Sequence, residues 1–341
     1  MANQDNDKTG MRTNIRIIGT GAALPAQVVT REALDARLGL LPGTLSSYGA
    51  ARCRHLSTTE TAAGLAARAC AQALAASGLQ WRDIDLLVAA NATMDQGLPY
   101  NASLVHAELG LRDHPIATFD IGASCLSFLS ALDVVSHLLH NGRYRNVMLV
   151  SADIATFGLN WKELRECGNF GDGAAAAVLR QSAPGEASCI RASAFRTLSQ
   201  GAHYCEIRAG GSRFHPERLA QPFDPLTKFS MDGKAVFRLV AGVMEGFLDE
   251  VLHASERTLD DIAAVVPHQA SRLAIDHLRS RLRVPEAKVV DVFDEFANQV
   301  GASLPTALHR AVSTGRVQRG DDVLLIGSGA GVSLGGMVLT Y

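Results

Sequence analysis

Short apolar runs bounded by turn-forming residues recur along the chain, at IDLLVAA (84–90), PIATFDI (115–121), NVMLVSAD (146–153), IAAVVP (262–267) and DDVLLIGSG (321–329). Most of their apolar residues are consecutive rather than alternating, the pattern of strands covered on both faces. Between them lie stretches with a helical period. TAAGLAARACAQALAASG (61–78) closes on a glycine suited to a left-handed C-cap. SRLAIDHLRSRLRV (271–284) predicts a helix with Leu273, Leu278 and Leu282 on one apolar stripe. Strands that alternate with helices predict parallel sheets packed by helices on both faces.

The runs also repeat. WRDIDLLVAANA (81–92) and LDDIAAVVPHQA (259–270) share a D-I entry into a buried strand and a polar exit, at an offset of 178 residues. In the same order, NGRYRNVMLVSAD (141–153) resembles TGRVQRGDDVLLIGSG (314–329), and FGDGAAAAVL (170–179) resembles GSGAGVSLGGMVL (327–339). The chain of 341 residues is longer than one core usually serves. Two similar βα halves are therefore expected, 1–183 and 184–341, divided in the turn-rich QSAPGEAS (181–188).

In parallel βα units reactive groups collect where strands end at their carboxyl side. Three residues occupy such positions: Cys125 after PIATFDI, His268 after IAAVV, and Asn298 after VVDVF. The run CLSFLSALDVVSHLLHNG after Cys125 has apolar residues nearly all round and predicts a buried helix. Cys125 would stand in its first turn, where unpaired N–H groups and the helix dipole lower a thiol pKa and hold a developing oxyanion. Each residue alone also fits a structural role: cysteine as a small core residue, histidine and asparagine as turn residues. Their joint appearance at equivalent strand ends favours chemistry.

Composition narrows the class. Hydrophobic residues make up 47% and charged ones 19%, a globular balance, and the net charge of −2 gives no reason to expect nucleic acid or membrane as a partner. The polar start MANQDNDKTGMRTN has no apolar signal core, and no run is long enough to span a bilayer, so a soluble cytoplasmic protein is expected. Six cysteines without a CxxC pair are expected to be free thiols, and no metal is expected. His203 and Cys205 in AHYCEI are too few to hold zinc, and Asp172 in FGDG reads as a turn residue rather than an acid.

With these residues in place, the chain resembles the thiolase-fold condensing enzymes, in particular the ketoacyl-acyl-carrier-protein synthase III group. The likeness runs through IIGTGAALPAQVVT (17–30), YGAARCRHLS (48–57), FGDGAAAAVL and PHQA, with Asn298 thirty residues after His268 and seven before Pro305. It implies an α/β fold of duplicated thiolase-like halves in αβαβα layers, a homodimer, and a Cys125, His268, Asn298 catalytic set. Backbone N–H groups of Cys125 and Ala330 would form the oxyanion hole. Cys125 would take an acyl group from acyl-CoA or an acyl carrier protein, and a malonyl-type thioester would then condense with it. No cofactor is implied beyond these substrates.

The sequence departs from the group's pattern at several places. Leu126 and Ser127 follow the cysteine where a small residue and glycine are usual, which would reshape the floor of the acyl pocket; Ser271, also expected to bind substrate, replaces a common asparagine; and Ala297 replaces glycine. Gly43 and Ser47 stand where primer-forming members clamp the adenine of coenzyme A. This points toward a carrier-protein donor, with Arg272, Arg279 and Arg283 as a basic helical face for docking. Leu98 lies where relatives present a larger aromatic residue across the dimer, which implies a donor longer than acetyl. Trp161 and Arg165 lie in the segment that relatives use as a flap at the tunnel mouth. The rival activities are acyl transfer to oxygen or nitrogen, non-decarboxylative condensation of two acyl-CoAs, and a silent partner subunit.

Overall fold

The computed structural model describes residues 12–218 and 222–341, so most of the polar N-terminal stretch lies outside the described residues. The first sheet is built from β1 (Ile15–Ala23), β4 (Leu86–Ala89), β5 (Ala117–Asp120), β6 (Asn146–Asp153) and β7 (Gly173–Gln181), in the order β1-β7-β6-β4-β5. The second contains β8 (Cys189–Thr197), β11 (Ile262–Pro267), β12 (Asp322–Gly329) and β13 (Ser333–Thr340), in the order β11-β12-β13-β8. Read from β1 and from β8, the two orders match strand for strand. The partner of β5 is the segment after Val289, which donates Val290 N–H to Val265 O at 2.8 Å but forms only one parallel bridge.

The sheets are mixed, which corrects the expectation of parallel ones. β4 pairs in parallel with β5 and β6, and β11 with β12, whereas β7 and β13 run antiparallel to their neighbours. The turn at 182–188 lies between β7 and β8. Two small hairpin-like pairs flank the sheets: β2 (Gln27–Thr30) with β3 (Cys53–Leu56), and β9 (Cys205–Glu206) with β10 (Ser230–Met231).

Continuous apolar strands have a plain reason here: each strand feeds two cores. Leu86, Val88, Val147 and Leu149 face inward, with Val266, Val323 and Leu325 of the other sheet, onto α5 (Ser127–His140) and α11 (Ser303–Ser313). Leu87, Met148 and Val150 face outward onto α3 (Ala62–Ser77) and α4 (Asn101–Glu108). Val265, Leu324 and Ile326 face outward onto α8 (Met244–Ala254) and α9 (Arg272–Ser280). The result is five layers, αβαβα. Small residues set the spacing of the first pair: a Cβ at Gly19 or Gly21 would lie 2.3 or 2.4 Å from the carbonyl oxygens of Ala73 and Ala69 in α3. Helix α3 opens on Thr61 and ends at Gly78 with φ 71°, as its sequence predicts.

Two helical readings need correction. Helix α9 stops at Ser280 and buries Ile275 and Leu278, while Leu273 is 60% exposed, so the predicted stripe does not exist. Helix α5 is not buried all round, since Val134 is exposed. The remaining helices are short: α1 (Arg31–Arg37), α2 (Thr44–Ser47), α6 (Leu164–Cys167), α7 (Gly233–Ala241) and α10 (Phe293–Phe296). Among the described residues no helix is long and apolar enough to cross a membrane.

Candidate active site

Cys125 lies in a 3-10 turn, Ser124–Leu126, that joins β5 to α5. Ser124 takes φ 52°, a left-handed conformation that costs a side-chain-bearing residue about 1 kcal/mol. The turn is held by Ser127, whose hydroxyl oxygen accepts Ala123 N–H at 2.8 Å. Leu126, expected to line the substrate, is instead a core residue at 1% exposure. It wedges against the glycines of the facing strands: Cβ atoms at Gly329 and Gly335 would lie 3.4 and 3.2 Å from it.

The backbone N–H groups of Cys125 and Ala330 point at the Cys125 sulfur and favour its anion. They do not win. Burial, reinforced by Cys205 and Asp153, pushes the thiol up to about 12. The expectation of a depressed pKa is therefore corrected: the resting group is a thiol, because desolvation of a sulfur anion outweighs two amide dipoles.

His268 follows β11 and donates its backbone N–H to Ile326 O at 2.9 Å. Burial pulls its imidazole down to about 4, and among the described residues Nδ1 has no hydrogen-bond partner. Gln269 fixes this loop by donating to Pro267 O and Val290 O and accepting Val292 N–H. Gly327 lets the histidine approach the Cys125 turn, since a Cβ there would sit 2.7 Å from His268 Cβ and 3.4 Å from Leu126 Cδ2.

Asn298 emerges from α10 through Ala297, whose φ of 59° explains why glycine is usual there. Its Oδ1 accepts Val300 N–H at 2.8 Å and the Ser303 hydroxyl at 3.3 Å, and its Nδ2 donates to Ala270 O at 3.2 Å. The amide is thereby oriented with its oxygen occupied and, among the described residues, one N–H free. The next turn, Val300–Ala302, packs on Ser124–Leu126. The three loops thus meet between the sheets, although their residues lie up to 173 positions apart.

Other predicted residues are placed less centrally. Leu98 is 77% exposed, beside the edge strand β5. Trp161 is covered by the Arg37 guanidinium and Arg165 lies over Tyr48. Ser271 caps α9 by accepting Ala274 N–H. Arg272 pairs with Asp291 and Asp294, and Arg279 with Asp291 and Asp276, while Arg283 lies beyond the helix at φ 54°. The proposed basic docking face is therefore not a free one: two charges are neutralised within the chain and the third is off the helix. Gly43, with φ 86°, and Ser47 begin and end α2. His203 pairs with Glu206. Asp172 is a buried brace, accepting Ser57 N–H, Thr156 N–H and the Thr156 hydroxyl.

Sequence reasoning missed three supports. Asn169 donates to Ala270 O at 2.6 Å and accepts Asn298 N–H at 2.9 Å, tying both second-half loops together. Asp153 is fully buried and accepts the N–H groups of Ala92, Thr93 and Ala302 and the Thr93 hydroxyl; burial pushes its carboxyl up to about 6. Its signal was visible as a charge closing an apolar strand. Arg54 is buried among the carbonyls of Ala51, Cys167 and Phe170.

Duplicated halves stacked into five layers, with a cysteine turn, a histidine loop and an asparagine loop meeting between the sheets, define a thiolase-fold enzyme. Residues 119–198 match the family described as 3-oxoacyl-[acyl-carrier-protein] synthase III, and residues 252–341 match its C-terminal family. A β-ketoacyl-[acyl-carrier-protein] synthase III of Sphingopyxis alaskensis is 35% identical, covering 94% of this chain and 97% of the relative. One from Clostridium perfringens is 30% identical over 96% of this chain and 99% of its own. The synthase III structure from Pseudomonas aeruginosa aligns with a TM-score of 0.86 at 29% identity, over 96% and 98% of the two chains. A priming β-ketosynthase of the R1128 polyketide pathway aligns with a TM-score of 0.86 at 28% identity, covering 97% of each. The chain belongs to the 3-oxoacyl-[acyl-carrier-protein] synthase III family.

Proposed function

We propose that the protein is a β-ketoacyl synthase that loads an acyl group onto Cys125 and condenses it with a malonyl-type thioester. The observation that carries this reading is the packing together of the Cys125 turn, the His268 loop and the turn after Asn298, which bring an amide-flanked thiol, a neutral imidazole and an oriented carboxamide to one region. In the first half-reaction Cys125 Sγ bonds to the acyl carbon, the donor C–S bond breaks, and the thiol proton leaves with the departing carrier thiol. Because the resting thiol is protonated, its proton moves as the sulfur attacks.

In the second half-reaction, the malonyl C–C bond breaks to release carbon dioxide. The resulting enolate oxygen is held by the N–H of neutral His268 and the free N–H of Asn298. The carbanion attacks the acyl carbon, and the tetrahedral oxyanion faces the N–H groups of Cys125 and Ala330. Its collapse releases the cysteine sulfur, which regains a proton. Donors fixed before charge develops each contribute about 3 kcal/mol.

Acyl-CoA or an acyl carrier protein serves as donor, without a resident cofactor, and an exposed Leu98 in place of a larger side chain supports a donor longer than acetyl. A homodimer through the β5 edge is supported by exposed Leu98, Tyr100 and Phe119. Six free cysteines suit a reducing cytoplasm. The test is to incubate the protein with acyl-CoA and acyl-carrier panels, seek a Cys125 adduct by intact mass, and then add malonyl thioester. A β-ketoacyl product is expected; an adduct that passes only to alcohols or amines overturns the condensation.

A further inference from the structure

Glu166 is a buried carboxylate. It stands on α6 at 7% exposure, and its Oε1 accepts Met231 N–H at 3.1 Å. Oε2 is buried, and among the described residues it has no hydrogen-bond partner and Glu166 enters no ion pair. Its neighbouring arginine, Arg165, lies over Tyr48. Met231 is paired with Cys205 across β9 and β10, so Glu166 clamps the strand opposite Cys205. Cys205 in turn is near enough to Cys125 to help keep that thiol protonated, and Glu166 stands in the same relation to Cys205. Glu166, Met231 and Cys205 therefore form one cluster, with Cys205 near Cys125.

A dry, half-satisfied carboxylate is costly, and clamping β10 uses only one of its oxygens. Apolar pockets with one placed polar group select ligands by that group. We propose that Glu166 is a specificity residue of the acyl pocket, its Oε2 accepting a hydrogen bond from a hydroxyl or amino group on the acyl chain. The preferred donor is then a hydroxy- or amino-acyl thioester rather than a plain alkyl one of equal length. This rests on the reading that Cys125 takes the acyl group.

The test measures Cys125 acylation by intact mass with alkyl-, hydroxyacyl- and aminoacyl-CoA of one chain length, the substituent placed at each successive carbon. The wild type, Glu166→Leu and Glu166→Gln are compared, with thermal melts. In the wild type, kcat/KM for the best substituted donor is expected to exceed that for the alkyl donor by ~10-fold or more. Glu166→Leu is expected to erase or invert that ratio. Glu166→Gln, which keeps an acceptor for Met231 N–H, is expected to lose any preference for the cationic amino chain. Adducts that form with equal rates for all donors, or with the same ratio in wild type and both variants, overturn this inference alone. No adduct with any thioester overturns the acylation reading and this inference with it. Should the leucine variant not fold, the glutamine variant's amino-to-alkyl ratio decides.

Discussion

The turn that carries Cys125 and the turn after Asn298 are two copies of one structure. Each is a 3-10 turn, Ser124–Leu126 or Val300–Ala302, leading into a helix that begins with a buried serine, Ser127 or Ser303. In each, that serine's hydroxyl accepts an N–H four residues back, from Ala123 at 2.8 Å or Gln299 at 2.7 Å. In each, the residue three before the serine is forced left-handed, Ser124 at φ 52° and Val300 at φ 53°. The strand ends differ in their bonding: Asn91 accepts Ala152 N–H from β6, whereas its repeat partner Gln269 accepts Val292 N–H from the segment equivalent to β5.

Against this shared frame, the differences carry the chemistry. Cys125 corresponds to Gly301, where a Cβ would meet Asp153 Oδ2 at 2.8 Å and Ser151 Oγ at 3.1 Å. The repeat partner of His268 is Ala90. One half therefore opens its turn to hold a sulfur. The other closes the same position on Asp153 and places its polar groups on the preceding residues. Duplication provides two equivalent turns, and under the proposed function local side-chain choice would give the two halves different parts of the reaction.

The comparison can be broken most directly at the sulfur. Cys125→Ala is expected to abolish acyl-enzyme and product, a loss of over ~1,000-fold in condensation, read by intact mass and product assay; residual turnover near wild type would place the nucleophile elsewhere. Next, His268→Ala and Asn298→Ala are expected to keep a Cys125 adduct while condensation falls by ~100-fold or more. Equal loss of both half-reactions would deny the division of labour between the halves.

Gly301→Ala tests the closed copy of the turn. Its Cβ has no room, so a loss of about 2 kcal/mol in urea unfolding is expected. A neutral effect would show that the second turn relaxes as the first does. The thiol reading predicts that alkylation of Cys125 by iodoacetamide keeps rising with pH through the alkaline range, because burial pushes the group up to about 12. A plateau near neutrality would restore the thiolate.

His268 gives a smaller signature. Its folded pKa of about 4 is below the ordinary value, so in acid the unfolded state binds the proton first. Stability from this group is present above the ordinary histidine range and is lost as pH falls toward 4. His268→Gln should flatten that slope in a pH series of unfolding. Asp153 opposes it over part of the range: its raised folded pKa contributes stability in acid that is lost as pH rises through about 6. The smallest expected effect is at Ala297, where glycine relieves φ 59° and should raise stability by about 1 kcal/mol, measured by thermal melt.

VVDVF forms a single bridge and not a strand, so Asn298 follows α10 instead of a strand end. The main strands, the repeat, and the strand-end placement of Cys125 and His268 were legible in sequence, because continuous apolar runs and turn residues are local signals. Three features were not. The antiparallel course of β7 and β13 depends on which edges meet. The fate of Arg272 and Arg279 depends on Asp291, which lies outside their helix. The raised thiol pKa depends on the dryness produced when loops from both halves close around it. Sequence by itself determined the two-fold grammar and its reactive groups, since these follow from residue type and period along the chain. Tertiary structure alone decided charge state and pairing, because desolvation and ion contact are set by neighbours that the chain brings from far away.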